Sequence, residues 1–373
     1  MGSTTIRRMS LVFLALCFGV ALAMVALPAG ADVFNMPDGM TNLETVPVGN
    51  PGNAADTRYV AAGSPGYGAV DYTYSIGKYE VTAGQYCQFL NAVATTDDPY
   101  ALYSDLMYGH SGDGCQIQRL GSPGSYSYQV AADYADRPIN YVSLWDGYRF
   151  SNWLCNGQPT GPAGAGTTET GAYTLNGYNG QDGRWIIRNA GATWVIPTED
   201  EWYKAGYYDP NKPGGAGYWD YPTRSNTAPG RDMSEATNPG NNANYYISSS
   251  PYIAIPIDSG VYWTTEVGQF DLSLGPYGTF DLGGNVGERN STVVASSSEI
   301  ADYGIRGGAY GSSADILKAA SRYFRNPVNS AESPGLGLRV AQVPEPSSII
   351  LLILGGFTLG KRRTPSSLAK DKS

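Results

Sequence analysis

Apolar and polar residues alternate along Thr73–Val81 (TYSIGKYEV), the period-two pattern of a half-buried strand. The period changes at Thr82. Thr82 and Gln85 stand at capping-box spacing, where the hydroxyl accepts from the backbone N–H three residues on and the amide side chain reaches back. A helix follows to about Val93, with Tyr86, Phe89, Leu90 and Val93 on one face. The same signal recurs at Ser143–Asp146, opening a helix through Trp153 with Tyr148 and Asn152 four apart. It recurs again at Thr198–Glu201, where Pro197 ends a strand and Glu199 and Asp200 suit the positive end of the helix dipole. Between the second and third helices lies the glycine-rich stretch Gly157–Gly183. It reads as a solvent-exposed hairpin with AYTL (172–175) as one strand and RWIIR (Arg184–Arg188) as the next, a domain linker being the alternative.

Two longer apolar runs sit at the chain ends. Arg7 and Arg8 precede Leu11–Leu27, and Ala29-Gly30-Ala31 follows as a small-x-small cleavage site. This is the pattern of an export leader, residues 1–31, with a mature chain beginning near Asp32; a single membrane-anchor helix is the alternative. At the other end, Val343-Pro344-Glu345-Pro346 is followed by the apolar stretch Ser347–Gly360 and by Lys361-Arg362-Arg363. A helix of that length covers about 21 Å at ~1.5 Å per residue, short of the ~30 Å hydrocarbon core. The tail 344–373 resembles the PEP-CTERM sorting signal of Gram-negative bacteria. That resemblance implies a basic end on the cytoplasmic side, trimming by a sorting protease, and delivery to the cell envelope, cell surface or extracellular matrix. A plain tail anchor would leave the domain facing the same way, so membrane contact is expected only through this tail.

Charge and composition narrow the function classes. The two ends carry +2 and +3 of a chain total of −9, which leaves −14 on the segment between them. Such a surface repels nucleic acid and anionic lipid and suits cations. Gly 48, Pro 24 and Tyr 29 with 15% charged residues describe a loop-rich fold, and 12% aromatic residues supply core material that a disordered chain lacks. Cys17 lies in the leader, so Cys87, Cys115 and Cys155 remain and at most one disulfide can form among them. Cys87 and Cys155 fall in predicted helices and read as small buried hydrophobes, whereas Cys115, in the stretch His110–Gln116, reads as the more exposed thiol. His110 is the only histidine, which excludes two- and three-histidine metal sites within one chain. A Ser-His-Asp triad would need it, and no Gly-x-Ser-x-Gly elbow accompanies it.

Five short motifs occur in order: EVTAGQY (Glu80–Tyr86), IPTEDEW (Ile196–Trp202), DLGGNVGE (Asp281–Glu288), RGGAY (Arg306–Tyr310) and GLGLRVA (Gly335–Ala341). Their order and spacing resemble the sulfatase-modifying-factor family, whose founding activity is formylglycine generation. The likeness spans about Tyr74 to Ala341. It implies one domain, 32–343, with a loop-rich α+β, C-type-lectin-like fold of the formylglycine-generating-enzyme type. The residues of DLGGNVGE can themselves wrap a hard cation, with Asp281 and Glu288 as carboxylates and glycines freeing backbone carbonyls. The family's calcium sites carry over as Asp281 and Glu288 with the carbonyls of Gly284 and Val286, and as Asn244 and the Tyr245 carbonyl with Asp258. The competing reading is a tight turn whose carboxylates cap backbone amides. Arg306 is expected to pair with Asp281 or Glu288.

The departures from the family matter as much. Its oxidases bind copper through two cysteines just after the RGG motif, and those positions here are Ser312 and about Leu317. A hydroxyl does not replace a soft thiolate on Cu(I), and leucine offers no ligand. No copper is expected. Two tryptophans that flank the motif glutamate in the family are Gly287 and Arg289 here, removing ~150–250 Å² of aromatic surface at each place. The sequence therefore points to an exported, non-catalytic binding or surface-structural module for a protein, peptide or glycan. The alternatives are a formylglycine-generating oxidase acting on cysteine-containing peptides, and a calcium-only enzyme built on Asp281, Glu288, Glu199 and Glu201.

Overall fold

The computed structural model describes residues 34, 36–62, 65–109, 113–248, 262–325, 327–328 and 332–344. The leader, His110, Asp258 and the apolar and basic parts of the tail lie outside the described residues. In chain order the strands and helices are β1 (Thr45–Val48), β2 (Tyr74–Gly77), α1 (Ala83–Val93), α2 (Leu106–Gly109), β3 (Ile117–Ser122), β4 (Ser125–Val130), α3 (Leu144–Cys155), β5 (Trp194–Val195), α4 (Glu199–Tyr207), β6 (Tyr208–Asp209), β7 (Gly217–Tyr218), β8 (Gly287–Ser296), β9 (Ala301–Arg306), β10 (Tyr323–Arg325), β11 (Leu336–Gly337) and β12 (Ala341–Gln342). Among the described residues no helix is long and apolar enough to cross a membrane.

All three expected helices form, and each carries the full reciprocal capping box, at Thr82/Gln85, Ser143/Asp146 and Thr198/Glu201. The signal is local, so it survives whatever the tertiary context does. The strand expected over Thr73–Val81 shrinks to β2, whose four residues are all buried. β2 lies inside an antiparallel sheet of order β1-β2-β12-β5, covered on both faces, so a half-buried alternation does not apply. The second sheet has the order β10-β9-β8-β11, with β11 parallel to β8 and the rest antiparallel. Two β-bulges break the β8–β9 register between Arg289 and Ala295. The core between sheets and helices is aromatic, with Phe34, Phe89, Phe150 and Trp153 in mutual ring contact and Tyr148 stacked on Tyr173 at 3.8 Å.

The Gly157–Gly183 segment is not a hairpin. Neither AYTL nor RWIIR forms a strand, because α3 satisfies the backbone that a ladder would otherwise pair. Asn152 accepts from the Tyr173 N–H at 2.7 Å and donates to the Thr168 carbonyl at 2.6 Å. Arg149 binds Glu169, and the other Glu169 oxygen accepts from the Gly177 N–H at 2.6 Å. The loop is thereby folded onto α3, with Tyr173 and Leu175 buried and Trp185 and Ile187 left exposed. Cys115 is a second correction. It is 2% exposed, because Asn140 accepts from its N–H at 3.0 Å and draws the glycine-flanked chain inward. Burial pushes its thiol up to about 11, and that of Cys87 up to about 12. Cys87, Cys115 and Cys155 are all free thiols.

Candidate functional site

The five motifs meet in the interior, and each brings a charged side chain. Glu288, at the start of β8, accepts from the Arg339 guanidinium at 2.6 to 2.9 Å and from the Trp202 indole N–H at 2.6 Å. Arg339 also donates to the Gly77 and Phe280 carbonyls, so its fork ties both sheets and the loop before β8. Glu199, the first residue of α4, accepts from Arg306 Nε at 2.8 Å and is shared with Arg322. Glu80 accepts from Asn285 Nδ2 at 3.1 Å and from the Val286 N–H at 3.3 Å. Burial, then the charge of Asp281, raises the Glu80 carboxyl well above the usual carboxylate range.

Arg306 therefore pairs with neither Asp281 nor Glu288, as the sequence suggested, but with Glu199. The end of β9 faces the first turn of α4, and the Arg306 fork also donates to the Ala319 and Ser321 carbonyls. Glu201 is likewise taken, by Arg188 and Tyr72. Burial works against the charge of Glu201, yet the Arg188 hydrogen bonds hold its carboxyl below the usual range. A calcium-only catalytic set of Asp281, Glu288, Glu199 and Glu201 thus has three of its four carboxylates locked in ion pairs.

The same bonds involve the residues of the expected calcium ligand set. Both Glu288 oxygens face Arg339, so a cation there would have to displace a buried guanidinium. The Asn244 carbonyl accepts from the Asn285 N–H at 2.8 Å, and the Tyr245 carbonyl accepts from Arg231 at 2.8 Å. Asp281, at φ +58°, accepts from the Gly268 N–H at 2.6 Å, and burial pushes its carboxyl up to about 6. Gly284 has φ +89°, and a Cβ there would lie 2.1 Å from the Asn244 carbonyl oxygen. Among the described residues no three His, Cys, Asp or Glu side chains converge on a metal position. Of the set Asp281, Gly284, Val286 and Glu288, the Glu288 carboxylate is committed to Arg339 in this arrangement and is not free for a calcium ion. The hub of the loop is Asn285, which the sequence reading passed over: its carboxamide joins Glu80, Thr265 and Asn244. Its signal was its place between glycine and valine in DLGGNVGE, a short amide at the left-handed φ of +56°.

Beside this centre lies a groove of about 490 Å³. Its walls come from the RGGAY turn and the chain after it, from β10, and from the segment entering β11. Gly287 is part of its lining. A Cβ there would meet Ile305 Cγ2 at 3.2 Å and Leu336 Cδ2 at 3.3 Å, so the position that holds tryptophan in the family has no room for a side chain without movement of the groove wall. Ser312 lines the groove, and its hydroxyl oxygen accepts from the Ala309 N–H at 3.0 Å. Leu317, at the second copper position, is fully buried and its carbonyl accepts from the Tyr207 hydroxyl at 3.0 Å. Cys87, Cys115 and Cys155 are absent from the lining. Arg289, at the other tryptophan position, is fully buried, and burial lowers its guanidinium to about 10.

Solved structures that match the chain include three at low identity. Treponema denticola variable protein 1 is 18% identical, with 82% of this chain and 97% of that chain covered and a TM-score of 0.48. CarF is 19% identical, covering 81% and 98% at a TM-score of 0.45. PvdO from Pseudomonas aeruginosa is 17% identical, covering 81% and 94% at a TM-score of 0.44. No curated protein matches the chain by sequence. Residues 43–343 match the Sulfatase-modifying factor enzyme 1-like domain, and with its motifs interlocked in a loop-rich α+β, C-type-lectin-like fold the chain belongs to the sulfatase-modifying-factor family.

Proposed function

We propose that this protein is an exported, surface-sorted binding module that keeps the family's scaffold and presents an open ligand groove where the oxidases hold copper. The observation that carries the reading is the pair Ser312 and Leu317. One is a hydroxyl turned into a backbone hydrogen bond and the other a core side chain, so the groove offers no thiolate pair for Cu(I). The glycine at 287 supports it from the other side, since no side chain projects from that position of the lining. Export and surface sorting rest on the leader pattern of residues 1–31 and the PEP-CTERM-like tail 344–373. The loop 281–288 is held in this reading by ion pairs and by Asn285 rather than by a cation.

A glycan and peptide array on the purified protein tests the reading, with Gly287→Trp as the blocked-groove control and its melting curve as the check on folding. Binding by the natural protein that the folded Gly287→Trp variant loses supports a groove ligand. Binding that survives in the folded variant would place the ligand elsewhere and remove the groove from the account.

A further inference from the structure

The groove is uneven in charge. Tyr323 and Arg325 both line it, whereas Phe324 between them does not, as expected from the side-to-side alternation of a strand. The strand that carries them, β10, is an edge strand, paired with β9 alone in its sheet, and all three residues are exposed. Arg325 forms no ion pair and no side-chain hydrogen bond among the described residues. Arg149, Arg188, Arg306, Arg322 and Arg339 each have a carboxylate. Among the described residues no lining side chain is acidic. The nearest carboxyl in sequence, Glu332, is buried, and burial and the charge of Asp146 push it up to about 9.

The rest of the wall is hydroxyl and backbone. Ser312, Ser313, Ser321 and Ser333 line the groove between glycines. Ser312 and Ser333 accept from the backbone N–H groups of Ala309 and Gly335, so their O–H groups remain free to donate outward. The Tyr323 ring, 52% exposed, offers a flat apolar face.

Resting on the groove as the ligand site, we propose that it takes an acidic saccharide, whose carboxylate pairs with Arg325 while a sugar ring packs on Tyr323. A guanidinium fork matches a carboxylate with two parallel hydrogen bonds. Serine hydroxyls and glycine backbone groups match the hydroxyls of a sugar. An acidic peptide would use Arg325 but leave the serine-rich wall and the ring without counterparts. A volume of about 490 Å³ lies within the ~300–1,000 Å³ of small-ligand pockets.

The test is calorimetric titration of the full chain with oligosaccharides of galacturonate, glucuronate and mannuronate, each beside its carboxyl-reduced form, and with a glutamate-rich peptide. At least one acidic oligosaccharide binds about tenfold or more tightly than its reduced form, and Arg325→Gln erases that ratio. Arg325→Lys keeps part of it, because the charge remains and the fork is lost. Tyr323→Ala weakens the acidic and the reduced forms alike. Both side chains are exposed, so melting curves matching the natural protein show that the fold is intact. Equal binding of every acid and its reduced form, no binding of any of them, tighter binding of the peptide, or an unchanged ratio in Arg325→Gln overturns the proposal. If an array ligand of another class is still lost in the folded Gly287→Trp variant, the acidic saccharide alone is refuted and the binding module stands. Loss of both would remove the groove reading as well.

Discussion

The buried centre and the groove share strands yet treat charge in opposite ways. Consecutive residues of β8 show it: Gly287 lines the groove, and Glu288 is gripped by Arg339 and Trp202 inside. In the centre Arg306 and Arg339 each meet a carboxylate, and the partners come from motifs far apart in sequence. On the groove wall Arg325 meets none among the described residues. A buried charge without its partner is costly, so the paired set fixes how the motif segments dock. An exposed guanidinium costs the fold little and is available to a ligand. The contrast separates residues that hold the family fold from those that individualise this member.

The largest effect expected from breaking the contrast lies at Glu288 and Arg339. Glu288→Gln or Arg339→Met should each cost about 3–5 kcal/mol in denaturant unfolding, because each strands a buried charged or polar partner. The double variant should lose much less than the two together, since neither charge is then left behind. A loss below about 1 kcal/mol in either single variant would remove the pair from the account of the fold. Next come the helix caps. Ser143→Ala and Thr198→Ala should each cost about 1 kcal/mol, measured in the same way.

The boundary between centre and groove should respond to pH. Burial raises Glu332 to about 9 and Asp146 to about 6, against ordinary values of 4.5 and 3.8. A raised carboxyl contributes its stability fully below the ordinary value and loses it as pH rises through the folded one. Wild-type stability should thus fall between about pH 3.8 and 9 from this pair, the part above about pH 6 coming from Glu332. Glu332→Gln should melt at the same temperature as wild type near pH 4 and above it at pH 9; parallel curves would show that Glu332 titrates normally. On the groove side, Arg325→Gln and Tyr323→Ala should change unfolding stability by less than about 0.5 kcal/mol. The smallest effect is expected from chelation. With Glu288 committed to Arg339, the melting temperature should be the same in calcium and in chelator, and a drop on chelation would show that the loop 281–288 binds the ion after all.

What the sequence disclosed follows the range of each signal. Three capping boxes were legible because donor and acceptor stand three residues apart. The family fold was legible because five motifs keep their order, although the order does not say which charges meet. Arg306 was assigned to the neighbouring motif, yet its partner Glu199 lies 107 residues away, and only the packing of α4 against β9 brings them together. Cys115 and the loop 157–183 misled for one reason. Glycine-rich composition reads as exposed, whereas the side chains of Asn140, Arg149 and Asn152 reach out and bind that backbone inward. Tyr323 and Arg325 fall outside every motif, and their shared face depends on a three-residue strand too short to announce itself.

The central claim is that this member holds the family's scaffold without its oxidase chemistry. The most direct measurement is mass spectrometry of a Cys-x-Pro-x-Arg peptide incubated aerobically with the purified protein, copper and a thiol reductant. The account predicts unchanged peptide, because the two thiolate positions carry Ser312 and Leu317. Conversion of the cysteine to the aldehyde by the natural protein, abolished by Cys115→Ser or Cys155→Ser, would contradict it and reveal a relocated thiol site.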